Sequence, residues 1–190
     1  MAPNTKSYAD IAAIIIPSNE FKKHVAASSS EVDEGSGVKV LTPSRSRLRF
    51  PSSWERVYHD YETEYLPMVW IFIRLLNNLC EKHTDKHQIF SDHFQSLFNK
   101  NEVTKATDPQ LCNCRDGLFT FSETTVLSVF IIFEIRSPVT IEVKKRDGVA
   151  TAMIGDELEP GVILITQGGC NLRFSGGGEM ILANMTYKKG

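Results

Sequence analysis

Val126 to Ile135 reads VLSVFIIFEI, ten residues that would present apolar side chains on both faces of a strand. Such a strand needs a packed layer on each side. Downstream, Val139, Ile141 and Val143 alternate with Thr140, Glu142 and Lys144, the period of a half-buried strand. Turns follow at Arg146-Asp147-Gly148 and at Pro160-Gly161, and Val162–Thr166, Asn171–Phe174 and Met180–Tyr187 read as further strands. Gly168-Gly169 and Gly176-Gly177-Gly178 fall between these strands and read as turns, because no helix and no Gly-Lys-Ser/Thr ending follows either. All five histidines lie before residue 94, so this region lacks the commonest general base and metal ligand. That composition predicts a scaffold and not an enzyme.

The 190 residues are 42% hydrophobic and 23% charged, ordinary proportions for one folded domain with some tail. A net charge of −2 gives the whole chain no attraction for nucleic acid, so such a contact needs a local basic patch. Met1–Asp10 has no basic start or apolar core of a secretory leader, and four cysteines then read as reduced thiols. Leu66–Leu76 is apolar but too short to span a bilayer and is broken by Arg74. A nuclear or cytoplasmic protein, neither secreted nor membrane-bound, is expected.

Residues 1–52 read as a flexible tail. Ala26–Gly37 is small, polar and acidic, unable to offset the entropy of ordering. Tyr8–Ile16 is an apolar island with helical potential, either a recognition segment or a docking tail. A helical segment is expected over residues 53–100. There Trp54, Val57, Tyr58, Tyr61 and Tyr65 fall on one helical face, Pro67 ends or kinks that helix, and Lys86–Asn99 forms another. Asn101–Asp116 reads as loop. Helices followed by strands give an α+β arrangement, with an antiparallel β-barrel over residues 115–190.

Two clusters carry candidate chemistry. Cys80 and His83, with His87, share one helical face, and Cys112 with Cys114 could complete a zinc tetrahedron. Polar residues at a fraying helix end explain the first group as well, and no metal or cofactor is expected. Arg45, Arg47 and Arg49 alternate in TPSRSRLRFPSSW and suit an acidic surface or phosphates, or else form a solvated basic linker.

The order Gly155-Asp156-Glu157-Leu158-Glu159-Pro160-Gly161, strand Val162–Ile165, Thr166-Gln167-Gly168 and closing strand Met180–Met185 resembles the second half of a cupin barrel. Thr166 stands where cupins carry proline, and Cys170 or Asn171 where they carry a ligand histidine, which implies a jelly roll without metal. Among metal-free cupins, Gly168–Asn171, Leu172–Phe174, Glu179 and Ile181–Lys189 resemble the dimerisation domain of the centromere protein C family. Arg45–Trp54 is similar to that family's nucleosome-binding motif. The resemblance implies Arg45 or Arg47 as an anchor on the histone acidic patch and Trp54 as an aromatic contact.

The surplus apolar face of Val126–Ile135 must be covered either by the helices or by a second copy. A homodimer interface through Val126, Ile132, Leu164, Met180 and Leu182 is therefore expected. The functional expectation is a non-enzymatic, self-associating scaffold at centromeric chromatin, with a viral matrix-type protein as the alternative. Its partners would be a second copy and other proteins, nucleosomes among the candidates, with no small-molecule substrate and no membrane.

Overall fold

The computed structural model describes residues 4–8, 11–32, 39–42, 45–69, 103–105, 107–146, 148 and 150–189. Two antiparallel sheets lie face to face. The larger runs β1(Asn4–Tyr8)-β2(Ala12–Ile16)-β11(Ile163–Gln167)-β8(Thr125–Ser137)-β13(Glu179–Lys189)-β6(Gln110–Cys114)-β4(Arg45–Leu48)-β3(Lys39–Thr42), and β5(Val103–Lys105) also pairs β13. The smaller runs β10(Thr151–Ile154)-β9(Thr140–Lys145)-β12(Cys170–Ser175)-β7(Gly117–Thr120). From β6 to β13 the chain passes back and forth between the sheets, placing β11-β8-β13-β6 opposite β10-β9-β12-β7. This is a cupin-like jelly-roll sandwich, open at its ends and not a closed barrel.

The two faces of β8 explain its double apolarity. Phe130 and Ile132 point between the sheets, where they pack with Ile141, Val143, Leu164, Leu172, Phe174, Met180 and Leu182. Leu127, Val129, Ile131 and Phe133 point the other way, into a second core with Phe21, Val25, Trp54, Val57, Tyr61 and Tyr65. Those residues belong to helices α1(Asn19–Ser30) and α2(Trp54–Asp60) and to the helical turn after α2. The helices thus cover the surplus face.

This overturns the interface assignment. Ile132, Leu164, Met180 and Leu182 have no exposed surface, and they fill the sandwich of a single chain. Val126 is half-buried. The apolar area that would have driven pairing is already removed from water, at about 25 cal/mol per Å².

The tail assignment is corrected too. Tyr8–Ile16 contributes β2, which pairs β11 with Ile14 opposite Leu164, and Ala12 to Ile15 are completely buried. Residues 19–30 form α1 because Ser18 caps it, its side chain accepting from the Phe21 N–H at 3.2 Å. One face of α1 then meets α2, its N-cap and the helical turn after it: Phe21 packs on Tyr65 at 4.7 Å, His24 Nδ1 lies 2.6 Å from Asp60 Oδ2, and Ser28 bonds Ser53 at 2.6 Å. Gln110–Cys114, expected as loop, is a strand inside the large sheet.

The helical face from Trp54 to Tyr65 packs inward as its periodicity predicts. Pro67 leaves its mark one turn earlier. Residues Tyr61–Tyr65 are π-helical, with the Leu66 N–H bonded to Tyr61 O, widening the turn that the proline ring would crowd. Lys86–Asn99 lies outside the described residues. Among the described residues, no helix is long and apolar enough to cross a membrane.

The helical core contains one consequence for alkaline stability. The hydroxyls of Tyr61 and Tyr187 lie 3.1 Å apart in this core. Burial raises both phenols, Tyr187 to about 12. Unfolded tyrosines ionise near pH ~10, so above that value the unfolded chain holds fewer protons than the folded one. Stability is therefore expected to fall as pH rises from about 10 towards 12. Melting temperatures taken across that window should drop, and Tyr61→Phe should flatten the drop.

Candidate ligand cavity

Along the inner face of β13 the chemistry changes. Met180 and Leu182 belong to the dry core, whereas Asn184, Thr186 and Lys188 line a cavity of about 360 Å³ at one end of the sandwich. The strand's period of two places all five on the same side. Gln110 stands opposite Asn184 on β6, and the segment after β7 supplies Phe121, Ser122 and Thr124. Such a volume suits a small metabolite.

Arg45 enters from β4. The β4–β6 register sets Arg45 opposite Cys114 and Arg47 opposite Cys112, which places both arginines on the inner side of the sheet. Arg45 is half-buried, its guanidinium carbon 4.8 Å from the Phe119 ring centroid and its Nη2 donating to Gln110 Oε1 at 3.1 Å. Its Nε–H is buried and makes no hydrogen bond. Asn184 is 6% exposed, and its Oδ1 is buried without a partner. Around them Thr107 and Thr186 share a hydroxyl bond at 3.0 Å, as do Ser122 and Thr124. The described lining carries two cations, Arg45 and Lys188, and no carboxylate.

The other sequence candidates fall elsewhere. Arg47 and Arg49 are exposed. Trp54 is 8% exposed, stacked on Phe50 at 4.3 Å and 5.7 Å from Phe133, so it is a core residue and not a partner contact. Cys80, His83 and His87 lie outside the described residues. Cys112 and Cys114 are fully buried between the sheets. Burial pushes both thiols up, against a smaller downward pull from the Arg45 charge, and they serve as small apolar side chains. Among the described residues, no group of His, Cys, Asp and Glu is placed to hold a metal ion.

A second crevice of about 130 Å³ lies between α1 and α2, around His24, Arg56, Asp60 and Glu64. Its His24 and Asp60 are already bonded to each other.

Asn184, Gln110, Thr186 and Lys188 were not singled out by sequence reasoning. The signal was present in MILANMTYK, where every second residue changes from apolar to polar midway along one strand.

No family model matches the chain, and no curated protein matches it. Solved structures do. A Pseudomonas putida prolyl-4-hydroxylase matches at TM-score 0.47 and 8% identity, over 99% of this chain and 92% of that one. A Burkholderia pseudomallei oxidoreductase of the 2OG-Fe(II) oxygenase family matches at TM-score 0.49 and 11% identity, over 94% and 84%. IDO from Bacillus thuringiensis matches at TM-score 0.38 and 9% identity, over 90% and 85%.

These likenesses concern the fold. The expectation of a non-enzymatic, self-associating scaffold at centromeric chromatin, together with its viral matrix alternative, is corrected: the three similar structures are named as a prolyl-4-hydroxylase, an oxidoreductase of the 2OG-Fe(II) oxygenase family and IDO, and none by its name is a centromere, chromatin or matrix protein. The cupin half of the resemblance agrees with the observed jelly roll, and the centromeric half finds no counterpart.

An Fe(II) centre of the two-histidine, one-carboxylate type needs imidazoles on the strands. The described histidines, His24 and His59, sit on α1 and α2, and positions 170 and 171 hold a buried cysteine and an asparagine. Among the described residues, the strands of this sandwich do not supply that donor set.

Proposed function

We propose that this protein takes a small anionic molecule, as ligand or substrate, into the cavity at the polar end of the jelly roll. The observation that carries the reading is Arg45: a half-buried guanidinium held by Gln110 and Phe119 in a cavity whose described lining has two cations and no carboxylate. A guanidinium at a partly dry cavity binds an anion through charge-assisted hydrogen bonds, about twice as strong as neutral ones. Side chains already held by neighbours lose little entropy on binding, so the site is pre-organised.

The test is a thermal-shift and calorimetric screen at low salt with small mono- and dicarboxylates and phosphate monoesters. At least one should raise the melting temperature. Arg45→Met, which keeps the stem over Phe119 and removes the charge, should weaken that ligand about 10- to 100-fold. If no small anion binds, or if Arg45→Met binds as tightly as the parent, the reading is wrong.

A further inference from the structure

We infer that two copies of this protein pair through the outer face of the small sheet, about a two-fold axis running along the strands between β9 and β12. Among the described residues, two large hydrophobic side chains are strongly exposed, Leu118 at 60% and Met153 at 57%. They lie on the two edge strands of the same sheet, β7 and β10. They also lie in the same row. Met153 stands opposite Glu142, Glu142 opposite Arg173, and Arg173 opposite Leu118. The strand period puts all four on the outer side, because their chain neighbours Val143 and Leu172 point into the core between the sheets.

That row is complementary to itself. Rotation about the axis brings Glu142 over Arg173 of the partner subunit and Met153 over Leu118 of the partner subunit, an isologous contact. Each carboxylate then has one guanidinium beside it on its own sheet and another across the interface. Along the next row, Lys144 meets the neutral Asn171 of the partner subunit, so like charges do not face each other. The charges fix the register and disfavour other partners, while the methionine and leucine contribute apolar burial. Two aligned sheets stack about 10 Å apart with strands within about 30°, which keeps the row in contact. Four strands about 4.8 Å apart and about five residues long outline roughly 300 Å². A standard interface takes about 800 Å² from each partner, so this pairing is weak, with Kd near ~100 μM. The residues expected from sequence to pair fill the core, and this face uses none of them.

Sedimentation equilibrium of the full chain at low salt, from about 10 μM to about 1 mM, should show reversible exchange between monomer and dimer. Glu142→Arg and Arg173→Glu should each weaken the dimer at least about tenfold, because like charges then meet across the axis. An equimolar mixture of the two single variants should recover it, and so should the double variant, since both restore opposite charges. Neither side chain is buried, so the variants should keep the parent's fold, which circular dichroism checks. A chain that stays monomeric at about 1 mM would overturn the inference. So would a dimer as tight in both single variants as in the parent, which would place the contact elsewhere. Failure of either the mixture or the double variant to recover the dimer would also overturn it. The parent measurement stands even if a variant does not fold.

Discussion

Trp54→Ala is expected to destabilise the protein by about 3–5 kcal/mol, the range for removing a buried aromatic whose site cannot collapse. Trp54 is 8% exposed and meets three rings: Phe50 at 4.3 Å, Tyr58 at 5.6 Å and Phe133 at 5.7 Å. Through Phe133 it joins α2 to β8, and through Phe50 it holds the segment that leaves β4. Its loss should loosen the helical layer from the large sheet and, through β4, the strand that carries Arg45. Urea denaturation of the variant should show a lower midpoint with little change in slope. A surface contact would shift stability by no more than about 0.5 kcal/mol, so a change that small would restore Trp54 to a partner-binding role.

Phe130→Ala should cost as much, about 3–5 kcal/mol, in the other core. Phe130 is fully buried on β8, between Leu164 on β11 and Asn184 on β13, with the Phe121 ring 5.9 Å away. It lies where the dry core meets the polar cavity. Phe130→Leu keeps most of the volume and should cost less than about 1.5 kcal/mol. The contrast between the two variants, read from thermal or urea melts, tests whether packing at that boundary is as tight as the structure shows. Equal, small effects would mean that the cavity extends beneath Phe130.

Much of the sandwich was legible because strands announce themselves by their period. Val139–Val143 alternates, Val126–Ile135 is apolar throughout, and the turns at Pro160-Gly161 and Gly176–Gly178 separate strands as expected. The glycine at position 161 has φ +90° and Gly176 has φ +107°, conformations that other residues rarely adopt. The misread segments share a different property. Ala12-Ala13-Ile14-Ile15-Ile16 suits a buried helix as well as a buried strand, and its pairing with β11 decides the matter. Gln110-Leu111-Cys112-Asn113-Cys114 looks like loop until Glu179 on the neighbouring strand accepts from Asn113 at 2.8 Å.

The site divides along the same line. The sequence alone determined that no histidine lies beyond residue 93, and the alternation of polar and apolar residues alone set which side chains share a face. Three exposed-looking arginines in a row were visible, but nothing local distinguishes them. Register against β6 turned Arg45 inward, Phe119 came under its guanidinium from the opposite sheet, and Asn184 arrived beside Gln110 from seventy-four positions on, 184 − 110. Local sequence encodes a strand's two faces, because the backbone pleat is local. Which face closes over a cavity depends on contacts between distant segments, and only the folded chain makes those.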